Sequence, residues 1–441
     1  MPYDSFLLDP LLLFLTGLGV SWLLARQPVR VRPAVMQGTV VVTLIVYWGT
    51  SVSLYFDLAW TRWLWEMCGA ETGRDWMLNS GIFHFDYRHP GWPTHLISLL
   101  IFTTYPFWLL AGLALGWPRL RQGEALGPAR WCGQKLRQEV WYGTATDAQS
   151  GDGLWLHAET VAPPDAAPYV HGWAAFFPVD AAPVLSRFGP EPVVPGAAWV
   201  AGGGTALTAS SWQGETPRIH WNLQQNLRTP PLLPFARWLW EMEALPGAMV
   251  VLDPRAAWQG ALVVDGAPRP FAGSAGLARI YGHGSAERWA WLHADLGDGA
   301  VLEVVAAVST RPGLNRLRPL PFVQLRWQGE DWPRFPSLAA LGAFHCTPQL
   351  PGWTLSGQVG RRRLHVAVAL PPELCVVVDY RDPDGRAAVC TNSARADVTV
   401  RLEERRGGAW QIVKNWQVLA TGHAEVGLRP GPSLAAPAKN P

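Results

Sequence analysis

The chain has 441 residues, of which 49% are hydrophobic and only 16% are charged. An average soluble domain carries about 25% charged residues, so this deficit indicates a large apolar core or a membrane, and it excludes a disordered or coiled-coil protein. The 36 Lys and Arg against 34 Asp and Glu give a net charge of +2, which disfavours nucleic acid as a partner.

Three apolar segments lie near the N-terminus, at residues 6–25, 35–56 and 96–117. Each is about 20 residues long and nearly free of charge, which is the length that a helix needs to cross a bilayer. The first carries Asp4 and Asp9 instead of a basic leader, so a retained anchor is favoured over a cleaved signal peptide. Residues 1–118 are therefore expected to form a transmembrane region.

Arginines beside these segments predict the orientation. They form two groups, Arg26, Arg30 and Arg32 between the first two segments, and Arg119, Arg121 and Arg130 after the third. Because basic residues favour the cytoplasmic side, we expect a multi-pass protein of the inner (cytoplasmic) membrane, with everything after Trp117 in the cytoplasm.

Neither metal nor cofactor is expected. The loop between the second and third segments contains His84, Asp86, His89 and His95. Their spacing matches no familiar ligand pattern, and Pro90 interrupts any helix that could align them. The five cysteines are scattered and never form a C-x-x-C pair, which indicates neither a zinc site nor a disulfide framework.

The sequence pattern changes at residue 135. After this point, short apolar or alternating runs are broken by Gly, Pro and Asp-Gly, which predicts an all-β structure. A pentapeptide recurs, as WLHAE at residues 155–159 and as WLHAD at residues 291–295, which indicates a duplication. We therefore expect three parts, a first β domain over 135–250, a second over 251–428 and a flexible tail over 429–441.

The pair Asp298-Gly299 predicts a two-residue hairpin turn, which would place Gly297 opposite Ala300 and His293 opposite Val304. Since opposed residues share a face, one face would combine Trp289, Trp291, His293 and Asp295 with aliphatic residues that include Val304. Such a face could line a cavity for an apolar ligand. The alternative is a structural pair of His293 and Asp295 beside a tryptophan core.

Residues 281–291 (YGHGSAERWAW) resemble the superfamily of tocopherol cyclase and carotenoid 1,2-hydratase, which is built from two lipocalin-like barrels. The likeness extends loosely over residues 138–400, through Trp141-Tyr142, His171-Gly172-Trp173 and Trp221-Asn222-Leu223. It implies a duplicated lipocalin-like fold, a long isoprenoid substrate and chemistry that begins by protonating an isolated alkene.

This chemistry needs a carboxylic acid that burial keeps protonated at neutral pH. The first candidate is Asp295 and the second is Glu287, with His293 or His283 orienting the acid or accepting a proton. Indole faces would stabilise the resulting cation. The expected substrate-binding residues are Trp289, Trp291, Val304, Tyr281, Trp155 and His157.

The sequence as a whole predicts a membrane-anchored all-β protein, with three N-terminal transmembrane helices before a duplicated lipocalin-like antiparallel barrel region. We expect an isoprenoid or carotenoid hydratase or cyclase whose partners are an apolar lipid and the bilayer. One alternative is a lipid carrier or sensor with the same cavity and no proton donor. Another is a protein-interaction platform with a filled core. The oligomeric state is left open.

Overall fold

The computed structural model describes residues 5–25, 107–116, 126–196, 198–242 and 245–429, together with isolated positions between 38 and 66. The chain divides into two compact units, Met1–Glu124 and Ala125–Pro441.

In the first unit, helix α1 (Ser5–Ala25) packs against the helical residues 107–116 through small side chains. A Cβ at Gly17 would lie 2.3 Å from the backbone oxygen of Leu109. One turn further along α1, the Ser21 hydroxyl donates a hydrogen bond of 2.8 Å to the backbone oxygen of Leu113. Part of the apolar surface of α1 is therefore buried against protein.

Among the helices that the structure describes, none is long and apolar enough to cross a membrane. The prediction of three transmembrane helices is therefore wrong, and so is the predicted localisation as a multi-pass protein of the cytoplasmic membrane. An apolar run does not by itself distinguish a helix facing lipid from one packed on another helix, as α1 is. Most of segment 35–56 and of the loop that holds His84, Asp86, His89 and His95 lies outside the described residues.

The second unit is almost entirely antiparallel β structure, as its sequence texture predicts. Its first sheet contains β1 (Arg137–Asp147), β2 (Gly153–Ala162), β3 (Tyr169–Phe177), β4 (Val184–Pro192), β5 (Val200–Gly202), β6 (Thr205–Leu207), β7 (Ser211–Glu215), β8 (Ile219–Asn226), β9 (Gly247–Val264) and β10 (Ala267–Gly282). Helix α2 (Arg237–Met242) precedes β9.

The second sheet contains β11 (Arg288–Gly297), β12 (Ala300–Val308), β13 (Leu320–Trp327), β14 (Glu330–Trp332), β15 (Phe344–Thr347), β16 (Gly352–Val359), β17 (Arg362–Ala369), β18 (Val376–Arg381), β19 (Ala387–Arg406) and β20 (Ala409–Leu428). Helix α3 (Pro336–Ala339) and two single 3₁₀ turns, Leu314–Arg316 and Pro372–Leu374, connect its strands.

The two sheets have the same topology. In each, the first strand (β1 or β11) lies between the second strand (β2 or β12) and the last (β10 or β20). Each sheet curls, so that β5 returns to β3 and β15 returns to β13. The chain passes from one sheet to the other at residues 283–287, whereas residue 250, the predicted domain boundary, lies inside β9.

The repeated pentapeptide does not mark equivalent strands. WLHAE lies in β2, the second strand of the first sheet, whereas WLHAD lies in β11, the first strand of the second sheet. The shared topology is therefore seen in the order of the strands and not in the repeated pentapeptide. The pentapeptide occurs in two strands that are both largely buried.

The predicted register of the hairpin at Asp298-Gly299 is wrong by one residue. Gly297 does lie opposite Ala300, but an irregularity between Asp295 and Gly297 places His293 opposite Glu303 instead of Val304. Because alternate residues face opposite sides of a strand, this shift exchanges the two faces of β12. Glu303, not Val304, therefore shares a face with Trp291 and His293.

Each sheet encloses its own apolar core, and the two sheets pack on each other through their outer faces. Strand β8 alternates buried and exposed residues because its outer face meets solvent. Strand β2 is buried at every position because one face meets the core of the first sheet and the other meets the second sheet. The junction between the sheets is therefore where buried polar residues of β1, β2, β11 and β20 meet.

Candidate active site

A largely apolar cavity of about 200 Å³ lies between the two sheets. Much of its wall is aliphatic or aromatic, from Val140, Met249, Phe235, Phe322, Val305 and Leu320. Its polar or polarisable side chains include Gln138, Tyr142, His157, Trp289, Tyr380 and Glu425. An apolar pocket with a few convergent polar groups is the usual form of a site for a small apolar ligand.

Glu425 is the carboxylic acid in this wall. It lies on β20, directly across from Trp291 of β11. Its Oε1 accepts a hydrogen bond of 2.7 Å from the Trp289 indole, and its Oε2 accepts one of 3.0 Å from the Asn392 amide. The Cys390 thiol also bonds to the carboxyl group. All three partners are uncharged, so none supplies the positive charge that would favour the carboxylate.

Burial raises the pKa of Glu425 above its ordinary value, and the hydrogen bonds from Trp289, Asn392 and Cys390 only partly offset this effect. The physical cause is the loss of hydration of the charged form in an apolar environment. Each oxygen has a lone pair beyond the one that its neighbour uses, so the group can hold a proton without losing its partners. Glu425 is therefore a buried acid whose protonated form persists to higher pH than that of an ordinary glutamic acid.

Aromatic rings surround this acid. The Trp291 ring meets the Tyr142 ring edge to face at 5.3 Å between centroids, and the Trp289 ring meets the Tyr380 ring at 6.0 Å. Burial raises the pKa of both tyrosines, so both hydroxyls stay neutral. The cavity thus presents π faces next to a proton donor, which favours a cationic intermediate in a water-poor space.

A second carboxylate lies behind His157 of the cavity wall, in a different environment. Glu159 of β2 is buried between His157, 3.4 Å away, and His171 of β3, with which it forms an ion pair. The neighbouring imidazoles hold its pKa below the ordinary value despite the opposing effect of burial. Glu159 is therefore an ionised carboxylate, whereas burial shifts Glu425 toward the neutral acid.

Behind Trp291 lies a further buried polar group. Glu303 accepts a hydrogen bond of 2.6 Å from the Trp291 indole and lies 2.9 Å from Nδ1 of His293. His423 of β20 is paired across the sheet with His293 and contacts Thr144 and Thr146 of the first sheet. These contacts fix the Trp291 ring and tie the two sheets together.

Gly427 leaves space for the Trp289 ring, and replacing this glycine tests the importance of that contact. A Cβ at this position would lie 2.0 Å from Cζ2 of Trp289. We expect Gly427→Ala to displace the indole, to break its hydrogen bond to Glu425 and to lower ligand affinity and turnover together. Gly342→Ala is the control, because nothing lies within 4 Å of its Cβ. A crystal structure of Gly427→Ala with Trp289 unmoved would contradict this expectation.

The chain is similar to several known proteins. The sequence profile of the family described as tocopherol cyclase-like matches residues 237–428. Uncharacterised proteins from two strains of Mycobacterium tuberculosis are each 47% identical to this chain over 317 residues, which is 70% of this chain and 91% of the relative. The chain belongs to the tocopherol cyclase-like family. The family resemblance that residues 281–291 indicated is thus confirmed.

Two solved structures are also similar to this member of the tocopherol cyclase-like family. A protein of Nitrosomonas europaea described as AttH has a TM-score of 0.45 and 14% sequence identity, over 69% of this chain and 97% of that chain. Kievitone hydratase of Nectria haematococca has a TM-score of 0.47 and 11% identity, over 69% of this chain and 92% of that chain.

Of the binding residues predicted from the sequence, Trp155, His157, Trp289 and Trp291 line the cavity. Val304 instead belongs to the apolar core of the second sheet. Tyr281 faces the core of the first sheet, where the Arg130 guanidinium lies 4.6 Å from its ring centroid. The neighbours of these two, Val305 and Ile280, line the cavity in their place because adjacent residues of a strand face opposite sides.

Asp295, the first acid predicted from the sequence, lies at the hairpin end of β11. Its carboxylate forms an ion pair of 3.0 Å with Arg255, accepts a hydrogen bond from the backbone of Gly297 and keeps 30% of its side-chain surface exposed. Asp295 is not among the described residues that line the cavity.

The other three predicted catalytic residues also lie away from the cavity wall. Glu287 is half-buried, 4.0 Å from Arg429. His283 is exposed, and its Nδ1 lies 3.0 Å from the guanidinium of Arg137. His293 is buried with Glu303 behind Trp291. The structure therefore brings together the predicted tryptophans and His157 but not the predicted acid and bases.

The residues that sequence reasoning missed are Glu425, Tyr142, Tyr380, Glu303 and His423. One signal was present, because the triplet His-Ala-Glu of residues 157–159 recurs at residues 423–425. Among the residues that the structure describes, no group of three or more His, Cys, Asp or Glu could hold a metal ion.

Proposed function

We propose that this protein protonates an isolated alkene of an apolar isoprenoid or carotenoid, with Glu425 as the acid, and that hydration or ring closure follows. The observation that carries the proposal is a buried carboxyl group with a raised pKa in the wall of an apolar, aromatic cavity. Membership of the tocopherol cyclase-like family supports the same type of chemistry.

The cavity supplies what each stage needs. Proton transfer from Glu425 to the alkene forms a C–H bond and leaves a carboxylate and a tertiary carbocation. The faces of Trp289 and Trp291 attract this cation, and the carboxylate left on Glu425 is itself an adjacent counter-charge. The small volume suits the end of an isoprenoid chain, where the reacting double bond would lie.

Heavy water provides the decisive experiment. Full-length protein is incubated in D₂O with a panel of linear isoprenoid alkenes, farnesol, geranylgeraniol, squalene and lycopene, and products are analysed by mass spectrometry after exchange back into H₂O. Alkene protonation leaves one deuterium bound to carbon, which does not wash out, in an alcohol or in a cyclised isomer. Binding without any carbon-bound deuterium would instead identify a lipid carrier or sensor and would overturn the proposal.

A variant of Asp295 tests whether Asp295 or Glu425 is the catalytic acid. We expect Asp295→Asn to keep wild-type incorporation of deuterium, because its ion pair with Arg255 lies at the hairpin end, away from the cavity. The measurement is the initial rate of formation of the carbon–deuterium bond. If Asp295→Asn loses this activity while Glu425→Gln keeps it, the assignment of the acid to Glu425 is wrong.

A further inference from the structure

This inference rests on the proposed function. We infer that His157 is the proton acceptor of the reaction. Glu159, which also forms an ion pair with His171, would position the His157 ring and stabilise its charged form. This pair would take the proton that the attacking oxygen loses after the alkene has been protonated. The site would then hold a proton donor in one wall and a proton acceptor in the other.

The position of His157 supports this role. Its side chain lines the cavity, and its ring stacks on the Trp173 indole at 3.8 Å between centroids, nearly parallel to it. Its Nε2 lies 3.4 Å from Oε2 of Glu159. Among the hydrogen bonds of the described residues, none involves Nδ1 of His157, which leaves that nitrogen to interact with a water or a hydroxyl group in the cavity.

The two walls are connected by short aromatic contacts. Tyr380 lies 5.7 Å from the His157 ring and 6.0 Å from the Trp289 ring, both measured between centroids. Trp289 in turn donates its indole hydrogen bond to Glu425. A substrate end bound beside Tyr380 would therefore contact the donor on one side and the acceptor on the other.

The proposed reaction needs no reactant other than the alkene and either water or a hydroxyl group of the substrate. The alkene π electrons take the proton of Glu425, which forms a C–H bond and a carbocation. The oxygen of water, or of a substrate hydroxyl, then forms a C–O bond and gives a proton to His157, whose imidazolium is paired with the Glu159 carboxylate. Bulk water afterwards removes this proton and another returns to Glu425, so the net reaction is addition of water or ring closure.

The electrostatic surroundings of His157 include groups from every strand packed against it. Glu159 and His171 lie on β2 and β3, Arg187 on β4, Tyr380 on β18 and Tyr142 on β1. Burial lowers the pKa of His157, and the charge of Glu159 opposes this. The imidazole is therefore neutral in the resting state and able to accept a proton, while Glu159 limits the cost of charging it.

The test measures how the carbocation divides between two fates. In D₂O, with geranylgeraniol as the probe, a cation that loses a proton again returns as deuterium-labelled alkene, whereas capture by oxygen gives an alcohol or a ring. We expect His157→Gln to lower the ratio of captured product to labelled alkene by about 10²-fold, the lower part of the range for general acid–base catalysis. A purely structural role would lower both products together and leave the ratio unchanged.

Glu159→Gln should shift the acid limb of the pH–rate profile to lower pH, because the imidazolium of His157 loses its counter-charge. The matched controls are His220→Gln and Glu215→Gln, an exposed pair 3.6 Å apart on the same sheet, which should alter neither ratio nor profile. Wild-type protein without carbon-bound deuterium overturns the proposed function itself. A wild-type ratio in His157→Gln overturns only the assignment of the acceptor.

Discussion

Replacement of Glu425 by glutamine is expected to lower kcat by about 10²- to 10⁴-fold, the range for a general acid. Glutamine can still interact with Trp289 and Asn392 but has no acidic proton to give to an alkene. Affinity for an apolar ligand should change little, because the aromatic walls remain. The measurement is the single-turnover rate of carbon–deuterium bond formation, together with ligand affinity from quenching of tryptophan fluorescence.

The pH dependence gives a second test of the same acid. Because the pKa of Glu425 is raised, the active protonated form persists above the ordinary pKa of glutamic acid, and the rate should fall as pH rises through the raised value. Stability follows the same sign. The folded state binds this proton more tightly than the unfolded chain, so the stabilisation is complete at low pH and is lost as pH rises through the folded pKa.

Glu425→Gln should abolish that loss, so the variant gains stability relative to the wild type as pH rises. Denaturation midpoints of the two proteins over a pH series measure the difference without any substrate. A constant difference between the two midpoints across the series would contradict a neutral buried acid, even if activity were lost.

The largest expected effect on stability concerns Glu139. This side chain is fully buried on β1, where it forms an ion pair with the buried Arg279 of β10 and accepts hydrogen bonds from the backbone of Arg130 and Trp131. We expect Glu139→Ala to lower the free energy of unfolding by about 3–5 kcal/mol, because it leaves a buried guanidinium without its counter-charge. Denaturant unfolding followed by far-ultraviolet circular dichroism measures the change.

The matched control is an ion pair at the surface. Arg218 and Asp265 bind each other with two hydrogen bonds of 2.7 Å, but about half of each side chain is exposed. Arg218→Ala should leave the denaturation midpoint unchanged, because water and salt screen this pair. Equal effects of the two substitutions would show that burial does not determine the importance of the pair at Glu139.

The elements that the sequence predicts well are those that depend on local pattern. Strand β2 and strand β11 both follow from apolar residues between turn signals, and the turn at Asp298-Gly299 follows from its need for positive φ. Three tryptophans of the cavity wall, Trp155, Trp289 and Trp291, were also predicted, because large apolar side chains on buried strands must pack somewhere.

The register of β12 shows where local pattern fails. The irregularity between Asp295 and Gly297 is marked in the sequence only by Gly297, which adopts a positive φ, and it replaces Val304 by Glu303 on the face of Trp291. A shift of one residue exchanges every side chain between the two faces of a strand. Both the error at Val304 and the failure to predict Glu303 follow from this single feature.

The sequence by itself determined the β character of residues 135–428, the family and the type of aromatic surface at the site, because these depend on periodicity and residue type. Only the tertiary structure decided that the candidate acid is Glu425 and that the apolar segment in α1 packs against another helix. Protonation depends on the burial of Glu425 in an apolar cavity whose wall comes from several other strands. The paired strands β20 and β11 are separated by more than a hundred residues of chain, so no local sequence pattern predicts that Glu425 lies beside Trp289.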